Sequence, residues 1–288
     1  MFAKLGLGTV QFGMAYGINN ANGQVASDDV RHILQRAYAA GIKVVDTAAM
    51  YGDAEVVLGD ILQGSSLSFD IVSKVAENVR ADGVLQAFQE TLRRLRCPAL
   101  YGYLIHDINA LKADPAIWDV CRQLRKEGRV QKIGISLYYP ADLLWLLERG
   151  IVCDIVQVPY NVFDQRFADI FPLLRQRHIE IHTRSVFLQG LFFVPEHELI
   201  PHFAGIKAAL RALHELARQA GIPLHALLIN FALHNPLVDT VILGVDSVGN
   251  FQENLNAFEY SRQYSAYHHQ VEQFAVDDEQ ILLPFHWT

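Results

Sequence analysis

Four side chains in the first 106 residues could together move a proton to and from a carbonyl oxygen: Asp46, Tyr51, Lys74 and His106. A free phenol has a pKa of about 10 and gives up its proton reluctantly at neutrality. A neighbouring ammonium favours the phenolate, so Lys74 is expected to lower the pKa of Tyr51. Asp46 would keep that lysine charged, since an unpaired buried ammonium tends to neutralise. His106 would offer a hydrogen bond to the substrate oxygen, as an oxyanion-hole donor does. Proton chemistry alone does not reduce a carbonyl, so a hydride source is also needed.

These residues sit where strands end. Asp46 closes the run from Ile42, Lys74 closes the run from Asp70, and His106 closes the run from Tyr101, while Tyr51 follows Asp46 by five residues. The wider pattern alternates short β-rich runs with helical stretches. Strands are expected at Lys4–Thr9, Ile42–Val45, Phe69–Val72, Tyr101–Ile105, Val130–Ile135, Ile151–Val158, Ile179–Thr183 and Thr240–Leu243. Between them, Ser27 offers an N-cap to a helix carrying Val30, Ile33, Leu34 and Ala37. Leu85, Phe88, Leu92 and Leu95 recur at helical spacing and mark a buried face. Eight β-then-α units imply a parallel sheet, and closed on itself that sheet is a (β/α)8 TIM barrel. In such a barrel the C-terminal strand ends carry the chemistry, and successive strands lie about 5 Å apart. The four candidates can therefore converge at one mouth. An open dinucleotide-binding sheet is the competitor. It is disfavoured because Gly6-Leu7-Gly8-Thr9-Val10-Gln11 lacks the third glycine of that fingerprint, and no acidic residue sits at a strand end about 20 positions on.

Composition sets the outer limits. The chain has 288 residues, 51% hydrophobic and 19% charged, which is enough apolar material for a core and excludes disorder. The formal charge of −7, from 24 basic and 31 acidic side chains, argues against a nucleic-acid partner. No apolar run reaches the roughly 18 residues of a membrane span, and Met1 to Gly13 makes a poor signal peptide. Cys97, Cys121 and Cys153 are odd in number and widely spaced, and read as free thiols of a cytoplasmic protein. No Cys or His pair shows metal-ligand spacing, so no metal site is expected. One domain spanning 1–288 is expected, with 261–288 as a tail capping the pocket.

Several segments resemble the aldo-keto reductase family. They are Gly6-Leu7-Gly8-Thr9, Val45-Asp46-Thr47-Ala48-Ala49-Met50-Tyr51-Gly52, Ser73-Lys74, Leu104-Ile105-His106, Lys132-Ile133-Gly134-Ile135-Ser136, Gln157-Val158-Pro159-Tyr160-Asn161, Val241-Ile242-Leu243-Gly244 and Gln252-Glu253-Asn254-Leu255. The similarity runs from about residue 4 to 258. The resemblance implies an extended nicotinamide cofactor, NADPH or NADH, and a small-molecule carbonyl substrate. Tyr51 would be the general acid, supported by Asp46, Lys74 and His106. The cofactor would lie along Gly8, Thr9 and Asp46, with its carboxamide at Ser136 and Gln157. Arg184 would stack on its ring, and Ser185 through Gly190 would follow the pyrophosphate. Gly244, Asp246, Asn250, Glu253 and Asn254 would hold the adenosine end. The usual basic residues of a 2′-phosphate site are missing there, because no Lys or Arg occurs between Arg218 and Arg262.

The chain departs from the family pattern at three points. Leu137 replaces an Asn beside the Ser, Val10 replaces a pocket Trp, and too few residues precede the first strand for the hairpin that often plugs the barrel bottom. The substrate pocket is expected among Met50–Gly52, Asp107–Asp114, Val186–His202 and the tail, with Phe187, Phe192, Phe193, Phe285 and Trp287 lining it or packing tail to barrel. Two other readings stay open: a nicotinamide-binding regulatory subunit with little turnover, and a cofactor-free lyase or isomerase. The intact tetrad disfavours the first, and the late Gly244 to Asn254 segment disfavours the second.

Overall fold

Eight parallel strands close into one barrel, in chain order around the ring. They are β1 (Leu5–Gly8), β2 (Val44–Asp46), β3 (Asp70–Val75), β4 (Leu100–Ile105), β5 (Val130–Ser136), β6 (Ile155–Pro159), β7 (Glu180–Arg184) and β8 (Thr240–Gly244). The computed structural model describes residues 2–287, so Met1 and Thr288, the limits of the expected domain and tail, lie outside the described residues. Closure comes from β1 pairing with both β2 and β8, with Gly8 level with Asp46 on one side and Gly244 on the other. Helices cover the outside, and the expected (β/α)8 architecture is the one observed.

Two apolar layers hold this together. Val44, Val72, Leu104, Ile155 and Ile242 form a small cluster of their own, with Tyr101 packed against it. Their even spacing along each strand turns them to one face, and that face continues upward to Asp46, Lys74 and Gln157. A much larger core lies between the strands and the surrounding helices. At the strand starts Tyr101 donates to Glu180 at 2.9 Å, and Lys132 pairs with the same carboxylate. Lys4, just before β1, donates to the carbonyls of Leu233 and Asn235 at 2.7 and 2.5 Å.

Local expectations differ at several points, and β6 starts at Ile155 rather than Ile151. Ser27 is the first helical residue rather than the cap, and Ala26 holds the cap position with no side-chain bond. The helix Ala81–Leu95 buries Val84, Phe88, Thr91, Leu92 and Leu95, and leaves Leu85 exposed. Starting the stripe at Val84 gives the spacing i, i+4, i+7, i+8, i+11, which follows 3.6 residues per turn.

Candidate active site

The C-terminal end of the barrel gathers Asp46, Lys74, Tyr51 and His106. Asp46 is the last residue of β2, and Lys74 stands one residue inside the end of β3. The side chain of Lys74 is entirely buried and that of Asp46 is 4% exposed. Lys74 Nζ donates to Asp46 Oδ1 at 2.7 Å, to the Thr47 carbonyl at 2.9 Å and to Tyr51 Oη at 3.4 Å. The second carboxylate oxygen of Asp46 accepts from Gln157 Nε2 at 2.7 Å. His106 follows β4 directly, and its ring meets the Tyr51 ring edge-on, with centroids 5.9 Å apart.

Tyr51 reaches this position from a tight turn between β2 and the helix Ala54–Leu62. Its N–H donates to Ala48 O at 3.0 Å, and its carbonyl accepts from Ala54 N at 3.0 Å. The turn lies against the segment after β1. A Cβ on Gly13 would fall 1.8 Å from Tyr51 O, and one on Gly52, which has φ of 53°, would fall 2.3 Å from Gly13 O. Neither position has room for a side chain. Thr9 ties the same corner, with its N–H and its hydroxyl both donating to Asp46 O at 3.1 and 3.0 Å. Its hydroxyl thereby supports Asp46.

Burial governs the electrostatics. It pushes the Tyr51 phenol upward, and this outweighs the pull of Lys74 in the opposite direction, so the net shift is above the ordinary value. The expectation that lysine alone lowers this pKa is corrected by the desolvation that a sequence does not display. Burial also works against the Lys74 ammonium, but Asp46 and Tyr51 more than offset it and hold the group charged. His106 is pushed down to about 3, first by burial and then by the cations Lys74 and Arg184. It is a neutral imidazole at physiological pH.

The residues expected along a cofactor line the same rim. Ser136 ends β5 opposite Gln157 on β6, and Arg184 ends β7 opposite Pro159. Gln157 Oε1, His106 Nδ1, Gln11 Oε1 and Thr47 Oγ1 are buried without a hydrogen-bond partner. Arg184 lies 4.1 Å over the Tyr138 ring and donates to Leu137 O at 3.1 Å. Ser185, Leu188, Gln189 and Gly190 all have positive φ, and this segment meets the loop after β1 through Gln189 Nε2 to Tyr16 Oη at 2.9 Å. Past Gly244, Asp246 accepts from Asn250 Nδ2, and Ser247 caps the helix Val248–Asn256 by accepting from Asn250 N at 3.1 Å. Glu253 is exposed and Asn254 buried on that helix. Of the expected pocket aromatics, Phe192 is wholly buried against Phe163. Phe285 stands on Tyr138 at 5.3 Å, and Trp287 packs on Phe203 at 5.0 Å.

Sequence reasoning passed over Gln11, Tyr138 and Glu55. Tyr138 carried a usable signal, an aromatic two residues beyond Ser136 at a strand's C-terminal end. Glu55 also carried one, since it falls in the stripe of Leu58 and Leu62 on a helix face otherwise apolar.

The family model described as the aldo/keto reductase family matches residues 4–273. L-galactose dehydrogenase of Arabidopsis thaliana is 26% identical over 272 residues, covering 88% of this chain and 85% of that protein. Pyridoxal 4-dehydrogenase of Microbacterium luteolum is 24% identical over 313 residues, covering 89% and 90%. Among solved structures, the holo form of an aldo-keto reductase from Bacillus halodurans superposes with a TM-score of 0.75 at 22% identity, covering 97% of this chain and 95% of that one. That last likeness is one of fold.

Proposed function

Because the chain belongs to the aldo-keto reductase family, whose members carry out NAD(P)H-dependent carbonyl oxidoreduction, we propose that Tyr51 exchanges the proton at the substrate oxygen. The observation that carries this reading is the buried Lys74 ammonium, held between Asp46 Oδ1 at 2.7 Å and Tyr51 Oη at 3.4 Å. A nicotinamide, when bound, supplies or accepts the hydride. In reduction Tyr51 starts protonated, as burial favours, and donates to the oxygen that is gaining charge. Lys74 then stabilises the phenolate left behind, and Asp46 keeps Lys74 charged throughout. His106 is neutral, so it donates one ring N–H to the same oxygen without adding a proton. In oxidation the phenolate accepts the alcohol proton and the same contacts run in reverse.

The rim fits a nicotinamide cofactor. The unpartnered Oε1 of Gln157 is an acceptor suited to a carboxamide NH₂, and Ser136 is level with it on the next strand. An unsatisfied buried acceptor is costly, which favours a ligand donor there. Arg184 offers a planar guanidinium for ring stacking, Ser185 to Gly190 the pyrophosphate segment, and Gly244, Asp246, Asn250, Glu253 and Asn254 the adenosine end. The residues 1–288 act as one domain, and the tail from 261 caps the substrate side. Phe285 resting on Tyr138 supports this, since Tyr138 in turn lies against Arg184. The substrate is a small aldehyde, ketone or sugar carbonyl, or the matching alcohol. The names of the two dehydrogenase relatives support the oxidising direction.

The test is Tyr51→Phe. Cofactor binding, read by quenching of reduced-nicotinamide fluorescence, should be unchanged, while turnover of an aldehyde falls about 10²–10⁴-fold. Near-normal turnover would refute the assignment.

A further inference from the structure

Glu55 is a charged side chain with almost no solvent contact, at 1% exposure. It lies in the first turn of the helix Ala54–Leu62, four residues after Tyr51. Its Oε1 accepts from Ser73 Oγ at 2.6 Å. Its Oε2 accepts from Arg94 Nε at 2.8 Å and, at the limit of contact, from Thr91 Oγ1 at 3.5 Å. Ser73 belongs to β3 and immediately precedes Lys74. Alternation along a strand turns Ser73 outward to the helices while Lys74 turns into the barrel. One carboxylate therefore ties the helix that follows the Tyr51 turn to the strand that carries Lys74, and both to the helix Ala81–Leu95. Charge-assisted hydrogen bonds to a buried ion resist displacement, because breaking one leaves an unpaired charge out of water.

The contact that this frame governs is the longer of the two hydrogen bonds that Lys74 makes to Asp46 and Tyr51. Lys74 lies 2.7 Å from Asp46 but 3.4 Å from Tyr51. Its length depends on where the helix Ala54–Leu62 sits against β3. The two helices already touch backbone to backbone, since a Cβ on Gly59 would fall 2.1 Å from Arg94 O. With that approach set, the polar tie at Glu55 holds the remaining freedom of the helix's first turn.

We propose that Glu55 is a positioning residue that sets the separation of Lys74 and Tyr51 through Ser73 and Arg94. The proposal rests on the reading of Tyr51 as the proton-exchanging group. Loosening the tie lets the phenol move off the ammonium, so proton exchange slows while ligand contacts on β5 to β8 are untouched. The charged groups that act on the phenol are Lys74, Asp46 and Arg184, and only its spacing from the β2–β3 pair is altered.

Ser73→Ala is the discriminating variant, because it removes one tie and leaves the Glu55–Arg94 ion pair to hold the fold. A small misplacement of reacting groups costs up to about 10²-fold, so a drop in kcat of about tenfold is expected. The cofactor dissociation constant should stay unchanged and the basic limb of the pH–rate profile should move upward. Ser73→Thr, which keeps the hydroxyl, should restore both, and Glu55→Gln should show the same direction of change. Unchanged kcat and pH profile in Ser73→Ala would overturn the proposal, whatever happens to the melting temperature. Active Tyr51→Phe would instead overturn the reading beneath it, so the two failures are separable.

Discussion

The Lys74–Tyr51 contact yields a number that can be measured. Two unit charges 3.4 Å apart attract by roughly 5 kcal/mol at an effective dielectric of about 20. Asp46, bonded to the same ammonium, opposes this by raising the phenol, so the net effect of the pair is smaller. A net attraction of about 3 kcal/mol is a factor of about 100 in the phenolate equilibrium. Lys74→Met alone is a poor probe. It strands the Asp46 carboxylate in a site where its side chain is 4% exposed, and breaking such a pair costs about 3–5 kcal/mol of stability. The double variant Lys74→Met with Asp46→Asn removes both charges together and keeps the site neutral.

Alcohol oxidation is the direction to assay, because it needs the phenolate. Below the phenol's pKa the phenolate fraction falls tenfold for each unit that the pKa rises. The double variant should therefore oxidise alcohol about 100-fold more slowly at a fixed pH near 8, and its rate should keep climbing with pH beyond the point where the parent levels off. Fluorescence titration of the cofactor controls for damage to the rim, since Gln157 Nε2 exchanges a carboxylate acceptor for a neutral amide oxygen. Oxidation within threefold of the parent, with cofactor bound normally, would refute the role of the ammonium and leave Lys74 as a strand-end anchor.

The parts of this site that were legible in the sequence share a property: each depends only on strand parity and strand order. Asp46, Lys74 and His106 lie at the C-terminal ends of consecutive β-runs, so barrel closure alone brings them to one mouth. Gln157 and Ser136 came instead from the family resemblance, and the register sets them opposite each other on β6 and β5. What stayed hidden depends on surfaces meeting across many residues. Gly13 and Gly52 read as ordinary turn glycines until the backbone of one is found against the other. Glu55 shows its place on an apolar helix face in the sequence, but not the Ser73 and Arg94, 18 and 39 positions away, that close around it. The sign of the Tyr51 shift was misjudged for a related reason, since pair chemistry is visible in a sequence and desolvation is not. Leu85 shows the smaller version, where a stripe read one position late turns a face partly outward.

Two further outcomes follow from the charges on the page. His106 titrates near 3 when folded against about 6.5 unfolded, so the unfolded chain alone takes up that proton between these values. Stability should therefore fall as pH drops below about 6.5, by about 2 kcal/mol at pH 5; urea unfolding of His106→Gln should lack that share, and equal acid losses in both proteins would refute a neutral buried imidazole. The second outcome concerns cofactor choice. A 2′-phosphate carries close to two negative charges and is held mainly by charge-assisted bonds to Arg or Lys. The stretch from Gln219 to Ser261 has neither, and beside Gly244 the structure places Asp246 paired with Asn250, a Ser247 hydroxyl occupied in capping, and the exposed carboxylate of Glu253. Acidic groups there suit the ribose hydroxyls of NADH, as they do in dinucleotide sites of other folds. One cation does reach this helix from elsewhere: Arg36 donates to Gln252 at 2.6 Å from the helix Ser27–Ala39. Only one of its N–H donors is taken by that amide, but its single charge is set against those of Asp246 and Glu253, so NADH should bind at least as tightly as NADPH, and the ratio should change little between low and high salt. A strong NADPH preference that collapses with salt and disappears in Arg36→Ala would refute this and make Arg36 the phosphate ligand.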